Sequence, residues 1–488
     1  DRGEFFNLGS GSQAFSESRN LTLENILRYD QVFALNHILN VTLMYGVYKS
    51  AAESASLSSD NIFNDALGYN ALEIGENFEI NTGAGEDQQL SMMGRIGYRF
   101  KGKYILDATL RRDGYSAFGA GNKYGLFPSV GASWILTEEN FLRDVPSINN
   151  LKLRLSWGKN GNRGVSRYSS LSSVSQTNYV FGDGGPSSVG LYTSSIGNPN
   201  LGWETTTSTN LGVDFELFSY RVNGSLELYH SNTYDLLLNQ RIPNLSGFTS
   251  FLRNIGETEN KGFEISLNTL NISKGNFEWD TRIVFSRNYN KILKLTGNDL
   301  NGDGVEDDDI ASGWFIGHPL ASNFDYVFDG IYQEGDTDFD LLPGSKPGDV
   351  KFKDINGDGA ITPADRVVLS TSQPDFLAGL TNTFKYKDLT LMVMFNIRNG
   401  GESANPATNI GRNFYYESNT LDVPYWTKDN PINTHPAINY GNPLGYGFYQ
   451  SRSFVRLQDV SLGYDLPQRA LGKIGIANLK IYLSGKNL

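Results

Sequence analysis

The chain contains no cysteine among its 488 residues. That excludes disulfide staples, thiolate metal sites and Cys nucleophiles, and is neutral about compartment. Its four histidines, His37, His230, His318 and His435, are scattered without ligand spacing. No HExxH, GxSxG or phosphate-loop pattern occurs. Acidic residues are spread too widely through the polar segments to single out a glycosidase-type carboxylate pair. These absences point away from an enzyme. A formal charge of -12 makes a phosphate-tracking surface, and with it a nucleic-acid partner, a poor fit. No run of about 18 apolar residues is present, so the sequence has no membrane helix. A β-barrel needs none, because only every second residue faces lipid and the average, here a mean hydropathy of -0.35, stays low.

What the chain does have is alternation. Leu151, Leu153, Leu155 and Trp157 interleave with Lys152, Arg154, Ser156 and Gly158. Val222, Gly224, Leu226 and Leu228 interleave with Arg221, Asn223, Ser225 and Glu227. Leu90, Met92, Gly94, Ile96, Tyr98 and Phe100 interleave with Ser91, Met93, Arg95, Gly97 and Arg99. A period of two places each set on its own face of a sheet. About fourteen such segments have the roughly 9–11 residues that a membrane crossing requires. They fall near 21–30, 37–50, 88–100, 104–113, 125–136, 151–158, 205–217, 221–233, 257–270, 277–290, 376–386, 389–398, 453–464 and 479–488.

Short turns join them in pairs, at Lys101–Lys103, Phe218–Tyr220 and Lys387–Asp388, with a longer one at Asn271–Asn276. Between pairs lie long polar stretches, 51–87, 159–204, 291–375 and 399–452. A short helix is expected near Asn61–Ala71. Soluble sandwiches and propellers also alternate, but their short strands recur with modest turns. Short turns on one rim and long loops on the other describe an outer-membrane barrel. Aromatics crowd the strand ends, Tyr98, Phe100 and Tyr104 at one turn, Phe215, Phe218 and Tyr220 at another, Phe384 and Tyr386 at a third, as an interfacial girdle does. The expected fold class is therefore all-β, a transmembrane antiparallel up-and-down β-barrel with long extracellular loops.

Several blocks resemble the SusC-like (RagA-type) TonB-dependent transporters of the Bacteroidetes outer membrane. They are Arg111–Gly119 (RRDGYSAFG), Phe127–Trp134 (FPSVGASW), Leu151–Asn162 (LKLRLSWGKNGN), Asn198–Phe215 (NPNLGWETTTSTNLGVDF), Arg253–Leu267 (RNIGETENKGFEISL), Pro347–Arg366 (PGDVKFKDINGDGAITPADR) and Phe454–Leu488. The resemblance implies a fragment of about fourteen strands from a plugged barrel of 22, with all of 1–488 in one barrel domain. It implies a SusD-like surface lipoprotein as lid, the TonB complex as energy source, and import of a glycan, or alternatively of a peptide or siderophore. On this reading the N-terminal plug domain and the final barrel strand are missing from the chain, which starts in a polar loop of a longer precursor. Strand parity agrees, because a barrel cannot leave a sheet edge open in lipid. A different class also fits the residues alone: a secreted, calcium-stabilised β protein for adhesion or glycan binding.

One local motif carries chemistry. Asp354, Asn356, Asp358 and Asp365 stand at positions 1, 3, 5 and 12 of an EF-hand-like loop, with Gly359 at position 6. Ala360 would offer its carbonyl at position 7 and Thr362 sits at position 9. A structural calcium ion is the expected cofactor, against the plainer reading of a polar Asn-Gly and Asp-Gly turn. A second acidic loop starts at Asp299, with Asn301 and Asp303 in register, but Ile310 occupies position 12 and the pattern fails. Exposed rings beside Asn, Asp and Arg would suit sugar contact, and the loops offer Phe414, Tyr415, Tyr416, Tyr425, Trp426, Tyr440, Tyr446, Phe448 and Tyr449. For any one of them, packing within the loops is the expected role.

Overall fold

A computed structural model describes residues 9–62, 66–183, 185–299, 302–405, 422–472 and 475–488. The chain runs β1 (Gly9–Phe33), β2 (His37–Ile62), β3 (Asn77–Phe100), β4 (Tyr104–Tyr115), β5 (Tyr124–Ile135) and β6 (Ile148–Asn162). A hairpin of β7 (Ser173–Val180) and β8 (Ser187–Ser195) follows, then β9 (Glu204–Leu217) and β10 (Val222–Tyr234). A second hairpin, β11 (Leu237–Arg241) and β12 (Ser250–Asn254), precedes β13 (Glu257–Lys274) and β14 (Phe277–Lys294). Four short strands come next: β15 (Ser322–Asp325), β16 (Phe328–Ile331), β17 (Val350–Phe352) and β18 (Val367–Thr371). The chain ends with β19 (Phe376–Tyr386), β20 (Leu389–Asn399), β21 (Glu402–Ala404), β22 (Tyr449–Ser451), β23 (Phe454–Asp465) and β24 (Lys480–Lys486).

Fourteen of these strands form one antiparallel sheet in the order β1-β2-β3-β4-β5-β6-β9-β10-β13-β14-β19-β20-β23-β24. Each of the fourteen segments expected from alternation is one of its staves, and among the described residues the sheet contains no other. The remaining strands make five two-stranded ribbons in the long connections. No helix among the described residues is long and apolar enough to cross a membrane; the crossing elements are strands. The chain divides into two compact units. One comprises Asp1–Trp134, Leu155–Thr209 and Thr233–Gly256, the other Ile135–Arg154, Asn210–Asn232 and Glu257–Leu488.

Three expectations need correction. Residues 51–62 and 77–87 are strand rather than loop, and the first stave already begins at Gly9. β1, β2 and β3 have 25, 26 and 24 residues, about twice what a crossing needs. Their outer halves, such as Ala51–Ile62 (AAESASLSSDNI), are small and polar on both faces, so hydrophobic periodicity is silent there. Backbone pairing in continuous register, from Ser18↔Ala52 to Ser12↔Ser58, holds them. The Asn271–Asn276 turn contracts to Gly275 and Asn276, because β13 continues past a bulge at Leu270/Ile272. In place of a helix near Asn61–Ala71 there are two 3-10 turns, Gly68–Asn70 and Leu72–Ile74, with residues 63–65 outside the described set.

Candidate functional site

In the first unit, register shows how the wall sorts its side chains. Directly opposite residues share a face, so Phe33, His37, Phe100, Tyr104 and Trp134 form one row across β1 to β5 at the short-turn rim. Phe100 stacks on Tyr104 at 6.2 Å, and Tyr104 on Trp134 at 6.4 Å. Behind that row on the same face come Leu39, Tyr98, Leu106 and Ala132, then Val41, Ile96, Ala108 and Val130. This is an apolar face ending in an aromatic belt, as lipid contact demands.

The opposite face is polar. Arg95 donates to Asp107 at 2.8 Å, Ser91 to Asp113 at 2.6 Å, and Arg111 to Asp113 at 2.7 Å. In the second unit Arg154 forks onto Asp214 at 2.7 and 2.8 Å and also holds Glu227. Local spacing could not have disclosed that cluster, since its members lie 60 and 73 residues apart. Such charged networks on alternate residues of crossing strands belong to a lumen.

The resemblance blocks have a physical meaning in the first unit, because five of them converge. Phe118 is buried against Tyr115 (5.4 Å) and Trp203 (5.0 Å), and Trp203 meets Phe127 at 5.3 Å. Gly119 donates its N–H to Leu201 O at 2.8 Å, and Gly202 donates to Asn254 Oδ1 at 2.7 Å. A Cβ on Gly161 would lie 2.1 Å from Phe127. The knot ties β4, β5 and β6 to the segment entering β9. Beside it, Arg167 donates to Asp87 Oδ1 at 2.5 Å, to Ser50 Oγ at 2.8 Å and to Gly85 O at 3.0 Å, fixing the long connection on β2 and β3. A cavity of about 630 Å³ opens between the β7–β8 and β11–β12 hairpins. Ser173, Ser195, Asn239, Thr249, Tyr168 and Phe251 are among its lining residues, so hydroxyl and amide groups stand beside aromatic rings.

In the second unit the long connections fold into a small core of their own. Tyr326, Ile331, Val350, Phe352, Ile361, Tyr440, Tyr446 and Phe448 are buried together. At its centre Asp325 accepts from Gly447 N (3.0 Å), Tyr449 Oη (3.1 Å) and Tyr326 N (2.8 Å). Burial, with the Asp325 charge beside it, pushes the Tyr446 phenol up to about 12. Desolvation likewise raises Asp349 above the usual carboxylate range. Of the rings that could meet sugar, Tyr440, Tyr446 and Phe448 therefore face inward, and Trp426 packs against the core while its indole donates to Gln333 at 2.9 Å. Tyr425 is 41% exposed. Phe414, Tyr415 and Tyr416 lie outside the described residues.

The acidic loop is compact. Asp354 accepts from Gly357 N at 2.7 Å and Gly359 N at 2.8 Å, and Asp358 accepts from Ala360 N at 3.0 Å. Asn356 bonds Asp358 at 2.9 Å. Asp365 is fully buried and folds back onto the loop's start, accepting from Thr362 N (2.7 Å), Ile355 N (2.9 Å) and Asn356 N (3.3 Å). Those N–H groups, Thr362 first, hold its carboxyl below the usual range. Positions 1, 3, 5 and 12 thus share one turn, and the donor set of Asp354, Asn356, Asp358, Asp365 and the Ala360 carbonyl is all oxygen, which suits calcium. Among the described residues no three His, Asp or Glu side chains are gathered at ligand distance. The second loop repeats the Asp turn, with Asp299 accepting from Gly302 at 2.7 Å and Gly304 at 2.9 Å, while Asn301 lies outside the described residues. The histidines stay apart: His37 meets Tyr98 at 2.6 Å, His230 meets Glu259 at 2.9 Å and His435 meets Thr434 at 3.1 Å.

A lipid face, a polar face and loops with their own core define an outer-membrane β-barrel wall. The family model described as TonB dependent receptor-like, beta-barrel matches residues 2–488, and the chain belongs to that family. TonB-dependent receptor P3 of Formosa agariphila is 35% identical over 503 residues, covering 98% of this chain and 49% of its own length. TonB-dependent receptor SusC of Bacteroides thetaiotaomicron is 32% identical over 403 residues, covering 77% of this chain and 37% of its own. The RagAB peptide transporter structure superposes with a TM-score of 0.81 at 22% identity, covering 98% of this chain and 52% of that one. The chain thus spans about half the length of the first curated relative, and the SusC resemblance is confirmed. Its place is the outer membrane, and the secreted-adhesin alternative gives way.

Proposed function

We propose that the protein containing this chain imports a glycan fragment across the outer membrane. A SusD-like lipoprotein would cover the loop rim, and the TonB complex would act through a plug region outside residues 1–488. The observation that carries the import reading is the sorting of one sheet into a lipid face and a charged face, within a family of TonB-dependent receptors. The glycan reading is supported by the hydroxyl- and amide-rich cavity with its aromatic rings. Sugars present C–H faces for such rings and hydroxyl edges for such groups. A deletion strain grown on single glycans or on peptides tests it. Loss of growth on a glycan supports the reading; loss on peptide alone overturns the cargo class, and unchanged growth on every source overturns import.

We also propose that calcium braces the 354–365 loop, Asp354, Asn356, Asp358, Asp365 and the Ala360 carbonyl supplying oxygen. Chelation by EDTA should then speed proteolysis between residues 340 and 375. Identical cleavage with and without chelator overturns the site.

A further inference from the structure

The apolar face of the first unit is not uniform. Between β3, β4, β5 and β6 it sinks into a groove of about 450 Å³. Ala108 and Ala132 form its floor, and Ile96, Leu106, Val130 and Trp157 rise around them. Ile96, Leu106 and Val130 are each more than half exposed, so none of the described residues fills the space. In register the groove begins one outward pair behind Phe100/Tyr104, at Tyr98↔Leu106, and continues to Ile96↔Ala108. At about 3.4 Å per residue it lies roughly 7–14 Å beyond the aromatic row, within the ~15 Å of one hydrocarbon leaflet.

The turn at its open end is the second observation. Arg99, Lys101 and Lys103 place three cations in five residues. The Lys101 ammonium sits 5.1 Å from the Phe100 ring centre and that of Lys103 5.4 Å from Tyr104. The Arg99 guanidinium donates to Gly102 O at 2.9 and 3.0 Å, which pins the turn. Over an equal five-residue window, Phe33–His37 carries no Lys or Arg, and Lys385–Leu389 carries two lysines beside an acid.

We propose that the groove and the 99–103 turn form one binding site for an anionic phospholipid of the periplasmic leaflet. An acyl chain lies over Ala108 and Ala132, and Lys101 and Lys103 meet the phosphate at the belt. Inside a bilayer an open apolar groove is filled by hydrocarbon, and basic residues at the rim select an anionic headgroup. The charge of the turn is what distinguishes this site from ordinary lipid contact along the wall. The proposal needs only the outer-membrane fold; cargo plays no part in it.

The test uses the full-length transporter in detergent, offered phosphatidylglycerol and read by native mass spectrometry. Lys101→Glu/Lys103→Glu should lower retained phosphatidylglycerol roughly tenfold, at a few-fold for each lysine. Ala132→Trp, which fills the groove from the lipid side, should lower it similarly. Lys387→Glu, at another turn, should leave it unchanged. Heat-modifiable gel migration shows that each variant is folded. Unchanged retention in either groove or turn variant overturns the site, as does an equal loss in Lys387→Glu. Loss of self-association with lipid retained would also overturn it, since the groove would then seat a second copy.

Discussion

Arg167 reaches 80 residues back along the chain to place its guanidinium 2.5 Å from Asp87, a carboxylate only 7% exposed. Removing the cation leaves a buried charge without its partner, which costs about 3–5 kcal/mol. Arg167→Met should therefore sharply raise proteolysis of the 163–203 connection. Arg167→Met/Asp87→Leu should recover most of the loss, because the desolvated charge is gone. Equal protease sensitivity of the single and double variants would show that the pair is not what fixes the loop.

Asp325 plays the corresponding part in the second unit. It satisfies two backbone N–H groups and the Tyr449 hydroxyl inside the loop core. Tyr449→Phe removes one hydrogen bond to the charged carboxylate and should cost about 1.5–3 kcal/mol. Asp325→Ala strands three donors at once and should cost more, roughly 1–3 kcal/mol for each one left buried. Hydrogen exchange of the 440–451 amides measures both, and equal exchange rates in the two variants would contradict this role.

The staves were legible in the sequence because lipid and lumen impose a period of two on Leu90–Phe100 or Leu151–Gly158, and every such segment became a stave. The outer halves of β1 to β3 were not, since Ala51–Ile62 has no hydrophobic face to report. The charged cluster of Arg154, Asp214 and Glu227 was likewise hidden, because it depends on which strands are neighbours. Tyr440, Tyr446 and Phe448 show the same limit in the loops. A ring that packs a loop core and a ring that waits for cargo are the same letters until the partners are known.

Asp349 supplies a pH dependence of fixed sign. Burial raises its folded pKa above the unfolded 3.8, so its charge opposes the folded loop at neutral pH. As pH falls through the raised value toward 3.8 the carboxyl takes up a proton and that cost disappears. Asp349→Asn keeps an acceptor for Lys346 N–H, which lies 3.1 Å away. Protease resistance around residue 349 should therefore increase on mild acidification in the parent and be flatter with pH in the variant. Parallel profiles would assign the dependence to another group.

Gly119 tests whether the resemblance blocks act as one knot. An added Cβ there would stand 1.8 Å from the Pro199 carbonyl oxygen, which is backbone and has no side-chain torsion through which to retreat. Gly119→Ala must therefore push the Asn198–Trp203 segment away, breaking the Gly119 N–H bond to Leu201 and uncovering Phe118. Phe118→Ala empties the same place without moving the backbone, at a cost of about 3–5 kcal/mol. Both variants should lower the unfolding temperature of the protein. Hydrogen exchange separates them: Gly119→Ala should expose the amides of residue 119 and Gly202, while Phe118→Ala should leave both of their bonds in place. The same exchange pattern in both would mean that the close approach of Gly119 to Pro199 is not what ties β4 to the entry of β9.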